Sequence, residues 1–251
     1  MTGDALIRRL RPEPSDEPLD DGALATLYGA DELDRPNLRV NFVTGADGAV
    51  ELHGYSAGLS NEADKRVFGL LRMLCDGLLV GAGTLRHEGY RAVRLDEARR
   101  QWRAEHGLDP YPRLVVVSAR LDLDPTHSAF AEAPVRPVVL THAASPADRR
   151  AALGEVADVL VHGDTEVDLA AAVADLRRRG LPRLLCEGGP HLFGALTAAD
   201  QVDELCLTLS PLLTGPGAGR ITAGPPSPVR NLTLAHVLES QGALLLRYTR
   251  A

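Results

Sequence analysis

Short, uninterrupted apolar runs of strand length recur along this chain, and they limit its fold more than any other feature. The clearest runs are residues 77–81, 114–117, 138–140, 159–161 and 184–186. Continuous β-branched and leucine-rich runs are typical of strands that are buried on both faces of a parallel sheet. Helical periodicity between some of them, as at 169–179, supplies the crossover segments that parallel strands need. The sequence therefore predicts an α/β fold with a mostly parallel central sheet flanked by helices.

The last quarter of the sequence has a different pattern. Residues 205–209 predict one more strand. Residues 232–238 and 243–248 alternate more regularly and are joined through Ser-Gln-Gly at 240–242, which is typical of a β-hairpin. We therefore expect an antiparallel C-terminal hairpin at one edge of the sheet.

The first third of the sequence divides near residue 37. Residues 1–36 carry four prolines among many carboxylates and resemble an arm more than a core element. Residues 38–43 then alternate as a strand does, and a helix with Ser60 or Asn61 as its cap follows. No linker interrupts the rest, so the expected organisation is an N-terminal arm, 1–36, and a single domain, 37–251.

Charge and cysteine content exclude several classes of function. Lys and Arg number 27 against 34 Asp and Glu, a net charge of −7, which does not favour nucleic-acid or anionic-membrane binding. The three cysteines are far apart in apolar runs, which argues against disulfides or a zinc ribbon. The N-terminus does not resemble a signal peptide. A cytoplasmic protein without a metal site is expected, since no histidine motif has ligand spacing.

The strongest local signal is the segment that follows the apolar run 184–186. Glu187 is followed by Gly188, Gly189 and Pro190 and then by a helical pattern. Two glycines allow the backbone to approach a ligand, and the helix N-terminus favours an anion such as a pyrophosphate. The alternative is a tight turn with no ligand. Glu187, at the end of a buried strand, is also a candidate acid or base.

Other strand ends carry small or hydroxyl residues. Gly81, Gly83 and Thr84 follow one run, and Ser118 and Thr141 each follow another. In open α/β sheets ligands bind outside the carboxyl ends of the strands, so these positions are expected to converge on one crevice. Alternatively, each hydroxyl caps its own turn.

Two further residues are candidates for chemistry. Asp47 in an Asp-Gly turn is a possible acid or base, although Asp is usually structural there. Lys65 is the only lysine of the chain, which makes it a candidate site residue. The alternative is an exposed surface residue with no role in the chemistry. The nucleophile motif G-x-S-x-G does not occur, so hydrolase chemistry is not indicated.

Taken together, these segments resemble the reductase domain family of riboflavin biosynthesis, which has a dihydrofolate-reductase-like fold. The matching segments are RPNLRVNF at 35–42 with Asp-Gly at 47–48, DKRVF at 64–68, CDGLLVGAGT at 75–84, LCEGGP at 185–190, and VDEL at 202–205 ahead of SPLLTG at 210–215. They occur in the family's order, and the chain is most similar to stand-alone actinobacterial pyrimidine reductase-like proteins.

The resemblance implies NADPH-dependent reduction of 5-amino-6-(5-phosphoribosylamino)uracil, in which hydride reaches C1′ and the ribosyl ring becomes a ribityl chain. It implies that Asp47, Lys65 and Glu187 face the substrate. Arg86 or Arg120 would receive the cofactor 2′-phosphate. The residues expected to contact the cofactor follow from the family's pattern together with the positions at the strand ends. They are Thr44, Gly81, Gly83, Thr84, Ser118, Thr141, Gly188, Gly189, His191, Leu192 and Phe193.

Two departures from the family bear on the substrate. The usual Ser-x-Asp-Gly turn is Gly-Ala-Asp-Gly at 45–48, and the usual Asp-Asp-Pro is replaced by His-Glu-Gly-Tyr at 87–90. Reduction of dihydrofolate or another pterin or pyrimidine is therefore an alternative, and a non-catalytic NADPH-binding protein is another. The zinc ligands of the deaminase often fused to this reductase do not occur, so deamination is not expected. The resemblance and the apolar hairpin also suggest a homodimer.

Overall fold

One ten-stranded sheet runs through the protein. The computed structural model describes residues 6–251. The strands are β1 (Arg8–Arg11), β2 (Asn37–Gly45), β3 (Gly77–Gly81), β4 (Arg113–Val117), β5 (Val138–Thr141), β6 (Asp158–Val161), β7 (Arg183–Cys186), β8 (Glu204–Ser210), β9 (Leu232–Ser240) and β10 (Ala243–Arg250). Their order across the sheet is β1-β9-β10-β8-β2-β7-β3-β4-β5-β6.

Helices cover both faces of this sheet. They are α1 (Asp21–Leu27), α2 (Glu62–Leu74), α3 (Ala82–His87), α4 (Glu97–Glu105), α5 (Ser128–Ala131), α6 (Ala147–Gly154), α7 (Leu169–Arg178) and α8 (Pro190–Ala198). On one face, α2 packs Val67, Leu70 and Leu71 into a core that includes Leu78 and Leu185. A second core, on the opposite face, joins α7 and α8 to the sheet. The predicted α/β class is therefore confirmed.

No helix within residues 6–251 is both long and apolar enough to cross a membrane.

The parallel part of the sheet extends from β8 to β6. Strand β7 lies between β2 and β3, although the chain builds β3 to β6 before it returns to form β7. This return reverses the strand order between β2 and β3, and such reversals open a crevice at the carboxyl ends of the strands.

The antiparallel edge is also confirmed. Strands β9 and β10 pair as a hairpin, and β10 pairs antiparallel with β8. The turn residues Gln241 and Gly242 have φ of 54° and 81°, the left-handed conformation that a two-residue type I′ hairpin turn requires.

The N-terminal segment differs from the expected arm. β1 pairs antiparallel with β9, so it extends the sheet by one strand. Ile7, Leu24 and Tyr28 are each at most 1% exposed and belong to the core beside α2. Asp20 caps α1 by accepting the Ala23 amide. A few well-spaced apolar residues therefore attach a polar, proline-rich segment to the domain.

A buried ionic network holds α1 against the sheet. Glu204 accepts hydrogen bonds from Arg39 and Arg247, with side chains 7–11% exposed. Burial opposes the charge of Glu204, but the two guanidinium groups outweigh it and lower the pKa of the carboxyl. Arg39 and Arg247 also donate to the carbonyls of Tyr28 and Leu27. Cations are favourable at a helix C-terminus, so the network anchors that end of α1.

His236 gives this region a measurable pH dependence. It packs edge-on against Tyr28 at 4.7 Å, and burial, reinforced by Arg247 and Arg39, lowers its pKa from 6.5 to about 4. The unfolded chain binds this proton at higher pH than the folded protein does. The stability that neutral His236 contributes is therefore fully present above pH 6.5 and is lost as the pH drops from there toward 4.

Between pH 7 and pH 5 we expect the free energy of unfolding to fall by about 2 kcal/mol through His236. Urea denaturation of the wild type and of His236→Gln, compared at the two pH values, measures this. The variant is expected to show the smaller decrease. Parallel decreases in the two proteins would contradict the assignment.

Candidate active site

A cleft of about 740 Å³ opens at the carboxyl ends of β2, β3 and β7. Its walls come from five parts of the chain: the last part of β2, the loop at 50–60, one face of α2, the segment from the end of β3 to residue 92, and the turn after β7. The cleft lies where the strand order reverses, as the topology requires.

Glu187 forms the most strongly bonded group in this cleft. Arg72 on α2 donates from Nε to Oε1 and from Nη2 to Oε2, both at 2.7 Å, and the Tyr90 hydroxyl donates to Oε2 at 2.6 Å. The Glu187 side chain is 1% exposed, whereas that of Arg72 is 25% exposed. Bidentate guanidinium pairs fix a carboxylate in orientation as well as in charge. Glu187 is therefore a fixed acceptor.

The charges of this group reinforce each other. Burial opposes the charge of Arg72, but the Glu187 carboxylate outweighs it and raises the pKa of Arg72. Burial, followed by the negative charge of Glu187, raises the pKa of Tyr90 well above 10.0, so its hydroxyl remains a donor at neutral pH. The Arg72 guanidinium also lies 4.3 Å from the Phe68 ring centroid, within cation–π range.

The Gly188–Gly189 turn lies beneath the cleft, and Gly189 lines it. Gly81 donates its amide to the Gly188 carbonyl at 2.7 Å, which ties this turn to the end of β3. Gly188 has φ of +93°, and a Cβ there would lie 2.8 Å from the Phe42 ring. A Cβ on Gly189 would lie 2.6 Å from Thr84 Oγ1. Glycine is therefore required at both positions. Pro190 then begins α8, whose first turn includes His191 and Leu192 at the cleft.

The segment 87–90, which departs from the family pattern, closes one side of the cleft mouth. His87 Nε2 contacts the Gly54 carbonyl at 2.6 Å, and its ring stacks on Tyr55 at 4.8 Å. Glu88 accepts from both the amide and the hydroxyl of Ser56. The loop 50–60 is thereby attached to the end of α3.

Of the other two residues expected to face the substrate, Lys65 lines the cleft and Asp47 does not. Lys65 lies at the rim of the cleft, 61% exposed, and pairs with Glu62 at 2.8 Å. Asp47 does not line the cleft. It accepts the amides of Gly215, Ala49 and Thr214, and these bonds, Gly215 first, lower its pKa. Asp47 therefore fixes the loop after β8.

The expected cofactor residues divide into two groups. Gly81, Gly83, Thr84, Gly189, His191 and Leu192 line the cleft. Thr44, Ser118, Thr141, Gly188 and Phe193 are not among its lining residues, and all five are buried. Ser118 accepts the Leu121 amide, and Phe193 stacks against Phe42 at 5.5 Å. Thr141 Oγ1 and His142 Nδ1, at the end of β5, are buried without a hydrogen-bond partner.

Sequence reasoning missed several residues of the cleft. Asp64, Phe68 and Arg72 lie four residues apart, so they form one stripe along α2, beside the apolar stripe of Val67 and Leu71. Asp64 and Arg72 are two charged residues on one helix face beside a core stripe, and this pattern was the signal of a site that the sequence offered. Asn41, Glu88 and Tyr90 were also missed, and they become neighbours only through tertiary packing. No cluster of metal-ligating side chains occurs among residues 6–251.

Comparison with known proteins gives a consistent result. The family model described as the RibD C-terminal domain matches residues 36–246. A 2,5-diamino-6-ribosylamino-4(3H)-pyrimidinone 5′-phosphate reductase of Archaeoglobus fulgidus is 30% identical over 182 residues, covering 72% of this chain and 83% of the relative. The protein of the same name from Methanothermobacter thermautotrophicus is 29% identical, covering 72% and 80%.

A solved structure has the same fold as this chain. A pyrimidine reductase-like protein from Corynebacterium diphtheriae superimposes with a TM-score of 0.82 and 26% identity, covering 91% of this chain and 98% of the other. The sequence resemblance is thus confirmed by the family model, by curated relatives and by the fold. The chain belongs to the RibD C-terminal domain family.

Proposed function

We propose that this protein is a reductase that converts the ribosyl group of a ribosylaminopyrimidine 5′-phosphate into a ribityl chain, with NADPH as the hydride donor. The observation that carries the proposal is the cleft between β2, β7 and β3, which combines a glycine-lined wall with a wall of bonded polar side chains. Membership of the family supports a nicotinamide cofactor and a pyrimidine ribosylamino phosphate substrate.

The glycine-lined wall fits a nicotinamide cofactor. A Cβ on Gly83 would meet no atom within 4 Å, so the space beside this residue is open to a ligand. Arg86 and Arg149 approach Asp122 within 4.0 Å, and Arg149 also donates to the Arg120 carbonyl. Arg86 donates to the Asp122 carbonyl and Arg120 is exposed, so both border the loop after β4, and either suits a 2′-phosphate.

The polar wall would hold the substrate. When bound, the cofactor supplies hydride to C1′ of the opened sugar. Glu187, fixed by Arg72 and Tyr90, orients donors of the substrate, and Tyr90 keeps its proton on the hydroxyl oxygen. Lys65 at the rim is free to approach the substrate phosphate, because its one ion pair is exposed and weak. Asp47 contributes by fixing the loop at 212–215.

The proposal is tested by following NADPH oxidation with purified protein. The substrates are 5-amino-6-(5-phosphoribosylamino)uracil, its 2-amino counterpart 2,5-diamino-6-ribosylamino-4(3H)-pyrimidinone 5′-phosphate, and dihydrofolate, each also tried with NADH. Turnover of at least one ribosylaminopyrimidine, with NADPH preferred, is expected. Turnover of dihydrofolate alone would replace the proposal with pterin reduction, and cofactor binding without any turnover would indicate a non-catalytic protein.

We propose in addition a cytoplasmic homodimer. Three free, buried cysteines, Cys75, Cys186 and Cys206, suit a reducing compartment. Light scattering is expected to report twice the 26.8 kDa of one chain, and a 26.8 kDa particle would refute the dimer.

A further inference from the structure

Four carboxylates line the cleft, and only one of them is both buried and largely unbonded. Glu187 carries three hydrogen bonds from Arg72 and Tyr90, and Glu88 carries two from Ser56. Glu51 is exposed to water. Asp64 is 6% exposed and accepts from the Ser60 hydroxyl at Oδ2. No other hydrogen bond reaches its carboxylate from residues 6–251, so Oδ1 is without a donor.

A second buried polar group in the same cleft also has no partner. Asn41 on β2 is 9% exposed and lines the cleft, and its side-chain amide makes no hydrogen bond within the described part of the chain. In β2 it follows Val40, which pairs with Cys186, so Asn41 lies beside Glu187 on the sheet. Neither the free Asp64 oxygen nor the Asn41 amide is among the fully enclosed unpartnered atoms of residues 6–251, so both open into the cleft. A ligand that displaces water from the cleft therefore has to supply their hydrogen-bond partners.

The chemistry of Asp64 specifies the edge of that ligand. A carboxylate accepts and does not donate, and its two oxygens match two adjacent donors. Its position in the first turn of α2 adds a helix N-terminus that favours negative charge there. A 4(3H)-pyrimidinone with a 2-amino group presents such an edge, with N3–H next to the 2-amino group. The uracil counterpart presents N3–H next to a carbonyl oxygen, which a carboxylate repels.

We propose that Asp64 is a specificity-determining residue that selects the 2-amino pyrimidinone over the uracil, with Asn41 bonding another polar position of the same ring. This inference rests on the proposed function for the identity of the site. The curated relatives are named for a 2-amino substrate, and the new element here is the residue that would give this chain the same preference.

Binding of free bases tests this without any turnover. The probes are 2,5,6-triaminopyrimidin-4-one and 5,6-diaminouracil, which differ at position 2, and calorimetry measures their affinity for the wild type, Asp64→Asn and Glu97→Gln. The Asn variant preserves an acceptor for Ser60 and the backbone amide that Asn61 caps. Glu97 is the matched control, an exposed carboxylate in the first turn of α4. Asp64→Ser serves as a second variant if the first unfolds.

The wild type and Glu97→Gln are expected to bind the triamino base roughly tenfold tighter or more than the uracil. Asp64→Asn is expected to bring the ratio near one, because an amide also donates to O2. Equal affinities in the wild type, an unchanged ratio in Asp64→Asn, or no binding of either base would overturn the assignment. Selective binding without NADPH oxidation by either ribosylaminopyrimidine would instead overturn the proposed function and leave the role of Asp64 standing.

Discussion

Replacing Arg72 with Met is expected to lower the free energy of unfolding by about 3 kcal/mol and to abolish turnover. The substitution keeps an apolar stem against Phe68 but leaves the Glu187 carboxylate buried with only the Tyr90 hydroxyl as donor. Breaking a buried ion pair costs about 3–5 kcal/mol, since the remaining charge is uncompensated. We take the lower end because Arg72 is a quarter exposed. Urea denaturation at pH 7 measures the change.

A double-mutant cycle separates the charge from the packing. Glu187→Gln alone is expected to cost about 1 kcal/mol and to reduce kcat roughly tenfold or more, with NADPH affinity nearly unchanged. The double variant Arg72→Met with Glu187→Gln is expected to recover much of the lost stability but none of the activity. Additive losses would show that the pair is not coupled. Equal losses of kcat and NADPH affinity in Glu187→Gln would remove it from the substrate wall.

Gly83→Leu is expected to weaken NADPH binding roughly tenfold or more, at least 1.4 kcal/mol, without unfolding the protein. Gly83 lies in the first turn of α3, and a Cβ there meets no protein atom within 4 Å. Leucine is also a better helix former than glycine by about 0.5–1 kcal/mol. A leucine side chain would fill the space that the cofactor is proposed to use. Fluorescence titration with NADPH and a thermal unfolding curve measure the two effects.

Gly154→Leu is the matched control for this experiment. Gly154 lies in α6, a Cβ there also meets no atom within 4 Å, and the residue does not line the cleft. The control is expected to bind NADPH with wild-type affinity. An unchanged affinity in Gly83→Leu as well would place the cofactor elsewhere.

Local sequence patterns were sufficient for most of the fold. The run at 77–81 became β3 with the same bounds, and Gln-Gly at 241–242 formed the expected hairpin turn. The burial of Ile7, Leu24 and Tyr28 could not be predicted, because these residues are too widely spaced to show a period and are buried only by contact with α2 and the sheet. The insertion of β7 between β2 and β3 likewise follows from long-range pairing.

The candidate site was predictable only where a backbone requirement is local. Gly188 and Gly189 could be found because close approach needs glycine whatever the partner is. Arg72 and Tyr90 could not, because their importance depends on a carboxylate more than 90 residues away in the chain. Asp64 reads as an ordinary first-turn acid in sequence, and only its burial beside an open cleft distinguishes it.

The pairing of β2 with β7 also determines when this protein can begin to work during its synthesis. β2 ends at Gly45, yet its two neighbours in the sheet are β7 and β8, which end at Cys186 and Ser210. During synthesis, both edges of β2 therefore remain unpaired until most of the chain has left the ribosome. Pairing over such distances slows folding and exposes strand edges to aggregation. Newly made chains are accordingly expected to lack the cleft until β7 and the turn after it have been synthesised.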